Sequence, residues 1–134
     1  MATLPVYWGT YQPIDIHVKI LNELGTYDPV DISESEGIEI FLYAKKNLKD
    51  TDTEAVFTLS TVEGNIIRND QTEDPGGAVA EIFPEDTTAL KPDEKTELFY
   101  DTRMIKTVGA VVKPYRVDGG KIPVLPVVVR ELTG

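Results

Sequence analysis

Hydrophobic and polar residues alternate in several short runs along the chain, and no run shows a sustained helical period. The clearest run is Ile14 to Ile20, where even positions are apolar and odd positions are polar. Such alternation predicts a half-buried strand. Further strands are predicted at 38–46, 55–61, 66–67, 78–83, 97–103, 107–117 and 122–129. About eight short strands separated by turns predict an all-β fold, an antiparallel Ig-like β-sandwich.

The stretch from Pro84 to Tyr100 predicts a corner between two strands. Pro84 has no N–H for a sheet ladder and therefore ends the strand before it. One short helical turn is expected near residues 86–90, because capping side chains precede it and Lys91-Pro92 stops it. A new strand is expected from about Glu97.

Glycine and proline mark the other connections. Asp118-Gly119-Gly120 predicts a hairpin turn, and residues 68–77 predict a mobile loop that contains no apolar residue before Pro75-Gly76-Gly77. Pro123 and Pro126 lie within the last apolar run. That strand is therefore expected at a sheet edge or with irregular geometry.

The first thirteen residues are rich in aromatic residues and proline. We therefore divide the chain into an N-terminal arm, residues 1–13, and a single β-sandwich domain, residues 14–134. The arm has two interpretations. It is a first edge strand packed on its own domain, or it docks on a neighbouring subunit, since Tyr and Trp are enriched at interface hot spots.

The chain has 134 residues, no cysteine and a net charge of −10. Without cysteine, disulfides, thiolate catalysis and cysteine-based zinc sites are excluded. The negative charge disfavours binding to nucleic acid or to an anionic membrane. No apolar run approaches the length that spans a bilayer, and the N-terminus does not resemble a secretory signal.

Residues suited to catalysis or metal binding are sparse. His17, the single histidine, occupies a polar position of an alternating strand and is predicted to face solvent. Asp50, Asp52 and Glu54 alternate in a charged loop, but that loop lacks the central glycine and distal glutamate of a calcium-binding EF-hand. The cluster Asp70, Glu73 and Asp74 is an equally weak cation site. No enzyme activity, metal or cofactor is therefore expected.

Several short motifs occur in an order that resembles one protein family. The motifs are Gly9-Thr10-Tyr11, Val30-Asp31-Ile32-Ser33, Ala44-Lys45-Lys46, the segment 50–56, the segment 84–90, Phe99-Tyr100-Asp101 and the segment 120–128. Together they resemble small structural proteins of tailed-phage virions, a family that includes the N-terminal domain of the baseplate upper protein. The chain departs from the pattern in its longer, more charged Lys91–Lys95 segment and in its closing residues.

The resemblance implies a non-catalytic virion protein that docks against other proteins of the tail, neck or baseplate. It also implies a homo-oligomer in the virion, made in the host cytoplasm. A decoration or cement protein bound to the major capsid protein is the alternative, and a carbohydrate-binding β-sandwich module is a further one. The residues expected at a protein interface are Tyr7, Trp8, Tyr11, Phe41, Tyr43, Val124, Leu125 and Val127.

Overall fold

The computed structural model describes residues 2–3 and 5–126, and these residues are organised almost entirely as β-structure. The strands in this part of the chain are β1 (Ala2–Thr3), β2 (Val6–Tyr7), β3 (Gln12–His17), β4 (Lys19–Leu21), β5 (Tyr27–Pro29), β6 (Ile38–Lys45), β7 (Phe57–Ser60), β8 (Ile66–Arg68), β9 (Gly77–Ile82), β10 (Thr96–Val108) and β11 (Val111–Leu125). One short α-helix, α1 (Pro84–Thr87), and 3₁₀ turns at Glu34–Glu36 and Asp52–Glu54 complete the secondary structure of these residues. The predicted all-β sandwich is confirmed.

Two main sheets form the sandwich. The larger sheet has the order β1-β11-β10-β6-β7, with β2 also on β11, and the smaller has the order β3-β9-β8. Strands β4 and β5 form a separate two-stranded hairpin. The pairing is antiparallel, except that β1 and β2 run parallel to β11.

The core lies between the two main sheets and follows the alternation of the sequence. In β6 the even-numbered side chains are buried, as predicted for that strand. The larger sheet contributes Val6, Ile38, Ile40, Leu42, Ala44, Phe57, Leu59, Leu98, Tyr100, Met104, Ile122 and Val124, and the smaller sheet contributes Ile14, Ile16, Ile66, Ala78, Ala80 and Ile82. Burial of these apolar side chains is the main force that stabilises the sandwich.

The predicted strand over residues 14–20 is confirmed in β3 and β4, but it is not continuous: it is interrupted at Val18, and its second part leaves the smaller sheet. Strand β3 pairs with β9 only as far as His17, which lies opposite Gly77. At Val18 the backbone N–H donates to Gly76 O (2.9 Å) and the carbonyl accepts from Val30 N–H (3.0 Å). The chain therefore changes partner and continues into the β4–β5 hairpin, where Ile20 is 46% exposed instead of buried.

The predicted hairpin turn at Asp118-Gly119-Gly120 is also wrong. Strand β11 continues through these residues, and Gly119 lies opposite Asp101 in β10. The turn is at Gly109-Ala110, where Gly109 adopts a φ of +61°. A Cβ at Gly119 would clash only with the guanidinium end of Arg116, a flexible and largely exposed side chain that can move aside, so packing does not explain the glycine.

The corner between β9 and β10 has the expected shape, but its helix begins earlier than predicted. Pro84 is the first residue of α1, a position where its missing N–H costs no helical hydrogen bond. The carboxylate of Asp86 accepts a hydrogen bond of 2.8 Å from the backbone N–H of Phe83 and so stabilises the helix start. Strand β10 then begins at Thr96, next to the predicted Glu97.

Residues at the two ends of the chain meet on β11. Within the segment 1–13, β1 and β2 both pair with β11, and Val6 is fully buried. Pro123 lies on β11 between these two parallel pairings, where its missing N–H interrupts no described ladder bond with them. The predicted last strand extends beyond β11 to residue 129, and residues 127–129 lie outside the described part of the chain.

Candidate interaction surfaces

The tip of the β10–β11 hairpin extends beyond the rest of the sandwich. Strand β10 pairs with β6 only as far as Lys106, which lies opposite Ile38. We call residues 105–116 the hairpin tip, and all of them from Thr107 to Arg116 are exposed. Val108 continues the core-facing row of Leu98, Tyr100 and Met104, but it is more than half exposed. The smaller sheet therefore does not cover the tip.

Apolar side chains dominate the surface of the hairpin tip. Val108, Val111, Val112 and Tyr115 are each more than 40% exposed. The outer edge of β11 has no partner strand in the described structure from Val111 to Gly119. Lys113 and Pro114 on this edge disfavour the addition of another strand, because charge and proline are the devices that protect sheet edges. The tip is therefore suited to side-chain contacts.

The hairpin tip is basic, although the chain as a whole is acidic. Residues 102–117 contain Arg103, Lys106, Lys113 and Arg116 and no acidic residue. Arg103 forms ion pairs with Asp52 and Asp101, and Arg116 pairs with Asp101. Neither lysine has an ion-pair partner among the described residues.

The opposite end of the sandwich is acidic and aromatic. We define the acidic end as residues 81–97 together with Tyr7 and Tyr11. Residues 81–97 carry six acidic residues and two lysines. The exposed rings of Tyr11 and Phe83 lie 5.5 Å apart, and the Tyr11 hydroxyl donates to Glu81 Oε2 at 2.6 Å. This hydrogen bond raises the pKa of Tyr11 above its ordinary value.

The register of the strands places these two surfaces at opposite ends of the larger sheet. Thr96 begins β10 at the acidic end, and Val108 ends it at the hairpin tip. Twelve strand steps separate them by about 40 Å. Strand β2 reaches the acidic end as well, since Val6 pairs with Val124, which in turn pairs with Thr96.

A shallow depression adjoins the acidic end. Its volume is about 500 Å³, and Pro5, Tyr7, Gln12, Pro13, Ile14 and Asp15 line it. Gln12 and Pro13 lie opposite Ile82 and Glu81 in the smaller sheet. The depression therefore combines apolar walls with nearby carboxylates.

The residues predicted at an interface do not form one surface. Tyr7 and Tyr11 are exposed at the acidic end. Trp8 and Leu125 are half-buried, and the indole Nε1 of Trp8 donates to Leu90 O at 2.8 Å. Val124 belongs to the core of the chain itself. Val127 lies outside the described residues.

Phe41 and Tyr43 occupy a different place, the outer face of β6. Their rings stack at 6.2 Å, and the guanidinium carbon of Arg103 lies 4.8 Å from the centre of the Tyr43 ring. Asp52 accepts hydrogen bonds from both Lys45 (2.8 Å) and Arg103 (2.7 Å), which hold the pKa of its carboxyl below the ordinary value. The side chains of Lys45, Asp52 and Arg103 therefore partly cover the aromatic residues on the outer face of β6.

The residues considered for catalysis or metal binding either have structural partners or are exposed to solvent. His17 is exposed, as predicted, and borders a cleft of about 100 Å³ near Tyr100 and Asp118. That volume is below the range of about 300–1,000 Å³ typical of ligand pockets. Glu54 accepts from the backbone N–H of Thr51 and stabilises a turn. In the described part of the chain, no group of three or more His, Cys, Asp or Glu side chains is placed to hold a metal ion.

The exposure of the hairpin tip was not predicted from the sequence. Its basic and apolar residues lie within the predicted strand 107–117, whose burial depends on which strands pass beside it. One signal was present in the sequence, since residues 102–117 carry only positive charge in an acidic chain.

No helix in the described residues has both the length and the apolar character needed to cross a membrane.

Comparisons with known proteins give little beyond the fold. No protein-family model and no curated protein sequence matches the chain. One solved structure that matches is AggA, the major subunit of aggregative adherence fimbriae type I from Escherichia coli, at 12% identity and a TM-score of 0.31, covering 95% of this chain and 91% of that one. The predicted function as a phage virion protein, in the tail, neck or baseplate or on the capsid, is contradicted by this comparison, which returns a bacterial fimbrial subunit. A match of this weakness assigns no function in its place.

Proposed function

We propose that the chain is a non-catalytic structural subunit that works by docking onto other subunits, including copies of itself. The observation that supports this function best is the hairpin tip. Val108, Val111 and Val112 are each more than half exposed there, on a two-stranded extension of the larger sheet. Val108 and Val111 lie directly opposite each other on one face, and Val112 lies on the other face. Contiguous exposed apolar side chains with a polar surround are typical of protein interaction sites.

The acidic end supports the same function. Tyr7, Tyr11 and Phe83 are exposed there, and aromatic side chains supply much of the binding energy of protein interfaces. A chain with two such surfaces at opposite ends can contact two neighbours at once. The net charge of −10 keeps the unassembled chain soluble.

The test is the concentration dependence of association of the purified full chain. We expect sedimentation velocity to show larger species as the concentration rises from micromolar to millimolar. A variant with Val108→Ser, Val111→Ser and Val112→Ser should fold, as judged by circular dichroism, and should remain monomeric. A matched control, Val62→Ser, removes an equally exposed valine from the turn after β7 and should associate like the wild type.

If the wild-type chain remains monomeric throughout this range, the proposed self-assembly is wrong. If the triple variant associates as strongly as the wild type, the hairpin tip is not the docking surface.

A further inference from the structure

Two lysines face each other at the hairpin tip. Lys106 in β10 and Lys113 in β11 are directly opposite in the antiparallel register, so their side chains lie on the same face. Like charges directly opposite on a sheet are destabilising. Neither lysine has an ion-pair partner among the described residues, and no acidic residue occurs from 102 to 117. An anionic surface placed against the tip would relieve this repulsion.

The same chain carries a surface of complementary charge and shape. Asp15 and Glu85 are exposed near the acidic end, and neither forms an ion pair in the described structure. Asp15 and Tyr7 line the depression, whose apolar walls suit the valines of the tip, and Glu85 lies in α1 just after the end of β9. Charge complementarity of this kind sets the orientation and partner choice of an interface.

We infer that the hairpin tip of one copy docks into the depression at the acidic end of the next copy. This inference rests on the proposed function and specifies its geometry. Lys106 and Lys113 face Asp15 and Glu85 of the neighbouring copy. The end of the hairpin, with Val111 on the lysine face and Val112 on the other face, enters the apolar depression. The two surfaces differ and lie at opposite ends, so the contact is head-to-tail and continues into a ring or a filament.

Charge-reversed variants test the electrostatic part of the inference. One variant carries Lys106→Glu and Lys113→Glu, and the other carries Asp15→Lys and Glu85→Lys. Each alone should associate at least about tenfold more weakly than the wild type, because like charges then meet across the contact. An equimolar mixture of the two should recover association. Glu63→Lys, on a turn at the far edge of the larger sheet, is the matched control and should have no effect.

Engineered cysteines test the geometry, because the natural chain has none. Val112→Cys is placed in one sample of the chain and Phe83→Cys in another. After mixing and mild oxidation, a head-to-tail contact should yield mainly the disulfide between the two different variants. Val62→Cys, mixed with Val112→Cys in the same way, should give only background cross-linking.

The outcomes separate this inference from the proposed function. If the wild type associates but the charge-reversed variants associate equally well, the docking geometry is wrong and self-assembly stands. If Val112→Cys cross-links mainly with itself, the contact is between two tips, which also overturns the inference. If the wild type does not associate at all, the proposed function and the inference are both overturned.

Discussion

The indole Nε1 of Trp8 donates a hydrogen bond of 2.8 Å to the carbonyl oxygen of Leu90. This bond joins the segment after β2 to the corner that follows α1. A second bond supports it, from the backbone N–H of Gly9 to the hydroxyl oxygen of Thr87 at 2.8 Å. The chain's single tryptophan therefore anchors the start of the chain to the corner between β9 and β10.

We expect Trp8→Phe to lower the free energy of unfolding by about 1 to 2 kcal/mol, because the partly buried carbonyl of Leu90 loses its donor. Urea unfolding followed by circular dichroism measures this change. Tyr7→Phe is the control, since the Tyr7 ring is exposed and its hydroxyl makes no hydrogen bond in the described structure. Equal stability of the two variants would contradict the anchoring role.

Gly37 joins the hairpin tip to the base of β6. Its φ is +73°, its carbonyl accepts from Thr107 N–H at 2.9 Å, and a Cβ would lie 2.5 Å from Thr107 O. Gly37→Ala should therefore cost the left-handed strain of about 1 to 2 kcal/mol together with a backbone clash. Gly25→Ala also has a positive φ, +82°, but has open space around it. Thermal or urea unfolding should show Gly37→Ala as the less stable of the two.

Asp52 makes the free energy of unfolding depend on pH in the acid range. Its hydrogen bonds to Lys45 and then to Arg103 hold the pKa of its carboxyl below the ordinary value of 3.8. A lowered pKa stabilises the folded state above pH 3.8, and this contribution is lost as the pH falls further. The side chain is 41% exposed, so the effect is modest, about 1 kcal/mol or less.

Asp52→Asn should therefore be less stable than the wild type near neutral pH, with a smaller difference in strong acid. Urea unfolding at a series of pH values measures both. Asp93→Asn, at an exposed position without an ion pair in the described structure, should follow the wild-type curve. A constant difference between Asp52→Asn and the wild type at every pH would contradict the assignment.

Tyr100 makes the free energy of unfolding depend on pH in the alkaline range. Its ring is buried, and burial, the charge of Asp118 and the hydrogen bond to Asp118 Oδ2 (3.2 Å) raise the pKa of its phenol to about 12. Because the folded state favours the neutral phenol, stability is retained up to the ordinary pKa of 10.0 and is lost as the pH rises through about 12.

Ultraviolet titration of tyrosinate in the folded chain should show a late step near pH 12, distinct from that of Tyr11, whose pKa is also raised, and Tyr100→Phe should remove the late step. Tyr27→Phe removes an exposed ring and should leave the late step unchanged. A late step that persists in Tyr100→Phe would show that another tyrosine is responsible.

The local pattern of the sequence was sufficient to predict most strands and their buried faces. Alternation along β6 and β10 reports the two faces of a strand directly, because successive side chains point to opposite sides of a sheet. Proline also gave reliable information near Pro84, since its missing N–H restricts it whatever surrounds it. The corner was therefore predicted closely, with an error of only a few residues in the helix.

Pairing partners depend on the whole chain, and here the local pattern was insufficient. Ile20 alternates like Ile14 and Ile16, but β9 ends at Ile82 in one direction and at Gly77 in the other, so nothing in the smaller sheet pairs beyond His17. Gly109 and Gly119 both suit a turn by residue type. The backbone turns at Gly109, because continued pairing with β10 keeps Gly119 extended within β11.

The residue pattern was enough to predict the all-β architecture, and the composition alone shows the acidic balance of the chain and the basic character of residues 102–117. The pairing of strands distant in sequence places Lys106 and Lys113 on an uncovered hairpin tip, whose end lies about 40 Å along the sheet from the acidic end. The physical reason is that exposure is a property of packing between strands distant in sequence. An alternating strand has the same pattern whether a second sheet covers it or ends before it.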